Sequence, residues 1–155
     1  MTASDPTLEA ARSIIDASLD AMRAAITGAS ADALNRRPAG EDTNPVAVLV
    51  VHALSSTRWW LSMALGAPLP DRDRPSEFLT AVAGADELIE VFDPIAADCR
   101  ALLNTDAVFD PGAIREDPRE GEQVTAAWAL FHAVEHLREH VGHAELTRQL
   151  FDRHG

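Results

Sequence analysis

The segment from Gln123 to Asp152 reads as one long helix, and it carries four of the six histidines in the chain. Steps of three and four residues return to nearly the same side of an α-helix, so the four imidazoles fall within an arc of roughly 80°. The apolar stripe of the same helix lies closest to His136 and His140. This pattern predicts that the inner pair faces the protein interior. The four residues are His132, His136, His140 and His143.

Three further stretches show apolar residues at helical spacing, and Gly and Pro cluster between them. These helices are predicted to start near Asp5, where Ser4 or Asp5 is the cap, near an Asn44 cap, and near Asp86. Pro94 should kink the third of them or restart it from Asp93. Shorter helical turns are expected over residues 30–35 and 76–83.

The resulting architecture is an all-α fold with four long antiparallel helices and no sheet. The competing interpretation concerns Val46 to Val51, which is apolar on every side and could be a buried strand. Helix is preferred because the apolar pattern continues through Trp59 and Trp60, longer than a strand normally runs. We therefore predict a four-helix bundle in which residues 1–155 form a single domain, with any site built from facing core positions.

Charge and cysteine content restrict the classes of partner and compartment. The chain has 13 basic and 25 acidic residues, and its net charge of −12 repels phosphate backbones and anionic lipid heads. We expect neither nucleic acid nor a membrane as partner. The single cysteine, Cys99, excludes an intramolecular disulfide and is expected to be a small core residue. With no secretory signal at its start, the chain is predicted to be cytoplasmic.

His52 is the only ionisable side chain between Asp42 and Arg58. Burying an imidazole there without a partner would cost on the order of 1 to 3 kcal/mol, so it needs a hydrogen bond or a metal. A bond to a helical carbonyl or to water is one solution. If helices two and four face each other, His52 meets His136 and His140, and three neutral imidazoles suit Zn²⁺ or Ni²⁺ with one position open.

Other histidine metal motifs fit this chain less well. The pattern His-x-x-Glu-His occurs at residues 132–136 and 136–140, but that peptidase motif needs a carboxylate ligand well downstream. A ferritin-like centre needs Glu-x-x-His on two helices, which this sequence lacks. Glu139 adjoins His140 and is a candidate general base, an exposed surface residue being the alternative interpretation.

Two stretches also resemble a known family. Thr43-Asn-Pro-Val-Ala-Val-Leu-Val-Val-His52, followed by Trp59-Trp60, resembles the second helix of the DinB-like proteins. This superfamily includes thiol-dependent transferases and maleylpyruvate isomerases. His136-Leu-Arg-Glu-His-Val-Gly142 resembles the start of their fourth helix. His143 departs from the pattern, because the family often has Gln there.

The resemblance implies a four-helix bundle, frequently dimeric, with a divalent metal on one histidine of helix two and two of helix four. Those positions match His52, His136 and His140 one by one. It further implies a metal-dependent enzyme that adds a low-molecular-weight thiol to an electrophilic small molecule or uses the thiol as a cofactor. In that reaction the ion would act as a Lewis acid, and Glu139 would move the proton. The alternative is a non-catalytic, metal-stabilised bundle that binds a small ligand or a partner protein.

Overall fold

Helices dominate the computed structural model, which describes residues 5–105 and 108–152. Its four long helices are α1 (Pro6–Ile26), α3 (Val46–Leu65), α5 (Ala85–Leu103) and α6 (Ala126–Asp152). The connections contain the short helices α2 (Ala31–Asn35) and α4 (Arg74–Glu77) and the strands β1 (Ile114–Glu116) and β2 (Gln123–Thr125). The predicted all-α four-helix bundle is confirmed.

The bundle places α3 against α6. The contact between these two helices is the most extensive in the described chain, and each also packs against one further long helix, α3 against α5 and α6 against α1. The Val46 to Val50 run is buried within α3, so the helical interpretation of this valine-rich stretch is confirmed. α1 and α5 also contact each other, so the four long helices close a bundle. Side chains from α3 and α6 meet in its interior.

One helix start follows the predicted capping, and a second has a side-chain cap that was not predicted. The Asp5 carboxylate accepts hydrogen bonds from the Thr7 and Leu8 amides at 2.8 and 3.2 Å, and this begins α1. Ser4, the other candidate cap, lies outside the described residues. Ser30 caps α2 through the Ala33 amide, as the expected turn over residues 30–35 requires.

The prediction of no sheet, and of one helix from Gln123, was wrong. β1 and β2 pair antiparallel, with Ile114 opposite Thr125. The Thr125 hydroxyl accepts a hydrogen bond from the Trp128 amide at 3.1 Å, so Thr125 is the cap of α6 and the helix begins at Ala126. The three residues before it pair with β1 instead of extending the helix.

The predicted Asn44 cap was also wrong. α3 begins at Val46, and Pro45 occupies the capping position without any side-chain hydrogen bond. A helix that starts one residue later moves Asn44 out of capping reach, and its side chain lies instead beside a cavity near His140.

Two further expectations need correction. α5 runs through Pro94 as one helix, so the alternative of a restart at Asp93 was wrong. Asp93 instead pairs with Arg23 at 3.1 Å. The turn expected over residues 76–83 is the shorter α4, which an Asp73 cap starts at Arg74.

The small sheet docks on the end of α3. Gly66 ends that helix with a φ of 66°, in the left-handed region that favours glycine. A β-carbon at this position would come within 3.0 Å of the Arg115 guanidinium of β1. The sheet therefore packs against the C-terminal end of α3.

The structure also tests the expectation that Cys99 is a core residue. Cys99 is fully buried, and burial raises the pKa of its thiol to about 12, as suits a core residue. Over the ranges that the structure describes, none of the helices has the length and apolar character needed to cross a bilayer. That residues 1–155 form a single domain stays a prediction.

Candidate metal centre

Three imidazoles from α3 and α6 converge in the interior. His52, His136 and His140 each offer a nitrogen, and these atoms all lie within 4.8 Å of one another. The Nε2 atoms of His136 and His140 are 3.2 Å apart. Two nitrogens bound to one tetrahedral zinc lie about 3.3 Å apart, given Zn–N distances of 2.0–2.1 Å. The spacing of the His136 and His140 pair therefore suits a single ion.

His52 is held in place by a buried carboxylate. Its Nδ1 lies 2.8 Å from Glu77 Oε2, and Glu77 is only 4% exposed. Arg72 donates to the same carboxylate from Nε at 2.7 Å and from Nη2 at 3.0 Å. Because Nδ1 is taken up by Glu77, Nε2 is the nitrogen of His52 left for an ion.

Glu77 remains a carboxylate in this setting. Burial by itself would raise the pKa of Glu77, but the hydrogen bonds from His52 and Arg72 outweigh burial and lower it. A charged Glu77 accepts the Nδ1 proton of His52, which fixes the tautomer that leaves Nε2 with a lone pair. The arrangement is the carboxylate–histidine pair found behind many metal ligands.

The inner two of the four histidines of α6, His136 and His140, are kept neutral by their surroundings. Burial, together with repulsion from neighbouring histidines, lowers the pKa of His136 to about 3 and that of His140 to about 4. A neutral imidazole is the form that coordinates a metal. Both Nδ1 atoms are buried without a hydrogen-bond partner among the described residues. With Nε2 atoms converging and no ionised ring in the pair, this donor set fits a divalent ion.

The other two histidines of α6 extend the row of rings outward. His132 lies 5.7 Å from His136 between ring centroids and stacks on Trp128 at 4.8 Å. His143 lies 5.6 Å from His140 and is exposed. The sequence prediction that His136 and His140 are the inner pair agrees with this placement.

Glu139 lies on the exposed side of α6, one residue before His140. Its negative charge partly offsets the lowering of the pKa of His140, so the carboxylate acts electrostatically on the site. Two cavities, described below, adjoin the histidines, and Glu139 is not among the residues that line them. Its role as a general base stays a prediction.

Two cavities flank the three histidines. The first, which we call the arginine cavity, has a volume of about 260 Å³ and is bounded by His52 and His136. The second, the His140 cavity, has a volume of about 330 Å³. The arginine cavity is also lined by Ser56, Trp60, Arg72, Arg74, Arg119, Glu120 and His132. The His140 cavity is lined mainly by Asp42, Thr43, Asn44, Leu49, His143 and Thr147.

Sequence reasoning missed Glu77, Arg72 and Arg119. Arg72 lies in a connection rich in Pro and charged residues, Glu77 lies in the short helical turn expected over residues 76–83, and Arg119 lies in the turn between β1 and β2. The general rule that a metal-bound histidine donates its other nitrogen to a carboxylate would have prompted a search for Glu77. Nothing in the spacing of the residues would have singled it out from the other acidic residues nearby.

Comparison with known proteins bears on both the fold and the site. A family model described as mycothiol-S-transferase matches residues 10–153, a range that includes all three converging histidines. The fold is similar to a crystal structure described as the conserved protein of locus from Enterococcus faecalis, with a TM-score of 0.70 and 17% identity. That similarity covers 92% of this chain and 95% of the other, and at this identity it shows the fold alone. No curated protein matches the chain.

Proposed function

Because the chain belongs to the mycothiol-S-transferase family, within the DinB-like superfamily, we propose that it is a metal-dependent enzyme that joins mycothiol, or a similar small thiol, through its sulfur to an electrophile. The observation that carries this proposal is the convergence of His52, His136 and His140 next to two cavities. A site closed on all sides would suit a structural ion, whereas cavities on two sides give substrates access.

Zinc and nickel are the proposed ions. Three imidazole nitrogens form a donor set that suits both, and such a set leaves at least one coordination position for a further ligand. When bound, the ion would lower the pKa of a thiol or water beside it, so that a nucleophile exists at neutral pH.

Other residues of the chain would orient the ligands and limit the access of water. Glu77 orients His52, and burial keeps His136 and His140 unprotonated, so all three present lone pairs at neutral pH. Trp60 and His132 form part of the wall of the arginine cavity and would limit the water that reaches a bound electrophile. The thiolate would attack the electrophilic carbon, and the leaving group would depart with its bonding electrons.

Glu139 is proposed as the group that receives the thiol proton. Support comes from its place beside His140 and from its electrostatic effect on that ring. Glutamine at this position keeps the size and removes the basicity, so Glu139→Gln should slow thiol transfer about a hundredfold without changing metal content. An unchanged rate would mean that solvent takes the proton.

The direct test uses protein purified without a histidine tag or a nickel column. Its metal is identified by elemental analysis, and consumption of mycothiol with iodoacetamide is then followed with zinc-loaded, nickel-loaded and metal-free protein. Metal-dependent acceleration that His52→Ala abolishes together with the bound metal, while His132→Ala keeps its metal, would support the proposal. Tightly bound metal without acceleration would instead favour a non-catalytic bundle that the ion stabilises.

A homodimer in the cytoplasm is the proposed state of the protein. Its support is the resemblance to DinB-like proteins, and α1, which is buried on one side, would contribute to the interface. Sedimentation equilibrium at micromolar concentration tests the dimer, and a pure monomer would contradict it.

A further inference from the structure

The arginine cavity has a charge that contrasts with that of the whole chain. The protein has 25 acidic and 13 basic residues, all of the latter arginine. Three of these arginines nevertheless line one cavity of about 260 Å³ beside His52 and His136. They are Arg72, Arg74 and Arg119.

Two of these guanidinium groups are fixed in orientation. Arg72 uses Nε and Nη2 to bind Glu77, and Arg119 uses the same two nitrogens to bind Asp117. Arg119 is further confined by Trp59, whose ring centroid lies 4.5 Å from its Cζ. In both arginines the described hydrogen bonds leave Nη1 uncommitted. A donor already held in place loses little conformational entropy when it binds an anion.

Arg74 supplies a cation without a counter-charge. Its Cζ lies 5.4 Å from the centroid of the Phe78 ring, and it forms no ion pair with any residue that the structure describes. Phe78 in turn lies 4.9 Å from His52 between ring centroids, and Arg74 and His52 line the same cavity. Glu120 is an opposing charge on the cavity wall, and it is exposed.

The His140 cavity has a different character. Its wall includes hydroxyl and amide groups and the Asp42 carboxylate, and no arginine is among its lining residues. A carboxylate ligand would be repelled there and attracted in the arginine cavity. The two cavities are therefore suited to substrates of different charge.

We infer that the arginine cavity binds an acidic group, such as a carboxylate, carried by the electrophilic substrate, while the thiol approaches from the His140 cavity. This inference rests on the proposed function, because it assigns one of its two substrates. The acidic group would be received by Arg74 and by the free Nη1 donors of Arg72 and Arg119 through charge-assisted hydrogen bonds. The electrophilic carbon would then lie next to His52 and His136.

A matched pair of reagents tests the charge preference. Iodoacetate and iodoacetamide alkylate a thiol by the same step: the thiolate sulfur bonds to the methylene carbon, iodide leaves with the C–I electron pair, and the thiol proton passes to Glu139 and from there to the buffer. Cys99 is buried with a pKa of about 12 and should not consume either reagent. With each rate divided by its uncatalysed rate, kcat/KM for iodoacetate should exceed that for iodoacetamide by about tenfold.

Four variants test which charges set the preference for iodoacetate. Arg74→Gln should reduce the preference for iodoacetate by about threefold or more, and Glu120→Gln should raise it, because each removes one charge from the cavity wall. Arg138→Gln, on the exposed flank of α6, is the matched control and should leave the preference unchanged. Arg119→Gln should act like Arg74→Gln, but it leaves the buried Asp117 unpaired, so Arg74→Gln is the decisive variant.

A binding measurement separates this inference from the proposed function. Calorimetry on zinc-loaded protein should show succinate binding about tenfold more tightly than its uncharged diamide, with Arg74→Gln removing most of the difference. If no alkylation is accelerated but succinate binding depends on Arg74, the anion site stands and the proposed transfer fails. If both reagents are accelerated equally and succinate binding is unchanged in Arg74→Gln, the inference is overturned while the transfer stands. A change confined to the KM of the thiol in Arg74→Gln would also overturn it.

Discussion

The two halves of the three-histidine cluster, His52 on α3 and His136 with His140 on α6, are held in position by different means. On α3, His52 is oriented by Glu77, which Arg72 holds in turn from the short connection that follows. On α6, His136 and His140 are one helical turn apart, and their Nδ1 atoms have no partner among the described residues. The α3 half depends on a charged network across 25 positions of sequence, whereas the α6 half depends on helical geometry and packing.

This difference has a consequence for how the site responds to change. Local helical spacing survives most single substitutions, because α6 is a long helix buried along one side. A buried network with three charged or polar members is sensitive to the loss of any one of them. Substitutions of residues that are not themselves proposed ligands, such as Glu77 or Arg72, should therefore change the position of His52. Comparable substitutions near His136 and His140 should have little effect on those two residues.

The largest effect is expected from removing a ligand in either half. His52→Ala, His136→Ala and His140→Ala should each lower zinc affinity by more than about a hundredfold, since even second partners of ligands contribute 10–100-fold. His132→Ala is the control and should keep full metal content. Elemental analysis after dialysis measures the result. If His52→Ala retained full metal content, the pair on α6 alone would be sufficient to bind the ion, and His52 on α3 would not be part of the site.

The next largest effect distinguishes a role of Glu77 in orienting His52 from a role in stabilising the fold. Glu77→Gln should weaken zinc binding about 10–100-fold, because it removes the charge that orients His52. Asp117→Asn is the matched control: it breaks another buried carboxylate–arginine pair, with Arg119, but Asp117 does not contact a histidine. Both variants should lower the midpoint of thermal unfolding. Equal zinc affinity in the two would mean that Glu77 only stabilises the fold.

The same contrast explains what the sequence could reveal. The spacing of His136 and His140 and the isolation of His52 in a buried run are local patterns, so the convergence of these three residues was predictable. Helix order was equally accessible, and the resemblance to DinB-like proteins is confirmed by the family match. Glu77 and Arg72 act through a contact that only the folded chain creates. The sheet was missed because its strands are three residues long, too short for any periodicity.

The pH dependence of the metal-free protein tests the α6 half by itself. The folded pKa values of His136 and His140 are about 3 and about 4, against 6.5 for an unperturbed histidine. Unfolded chains therefore bind more protons than folded ones below about pH 6.5, and this contribution to stability, complete above that pH, is lost as pH falls toward the folded values. The urea midpoint of EDTA-treated protein should drop between about pH 7.5 and about pH 5. A double variant, His136→Leu with His140→Leu, should show a smaller drop, and an equal drop would assign the effect to other groups.

The smallest effect is expected at His143, where the resembling family often has Gln. His143 is exposed and lies 5.6 Å from His140 between ring centroids, at the far end of the row of imidazoles from His132. Its ring lines the His140 cavity, so it can contact a substrate there without supplying a metal ligand. His143→Gln should therefore change zinc affinity by less than about threefold, in the range of ordinary surface substitutions. Competition against a zinc chelator measures this directly. A tenfold loss would show that the α6 half needs a third imidazole, and helical spacing of His136 and His140 alone would no longer account for how that half holds the ion.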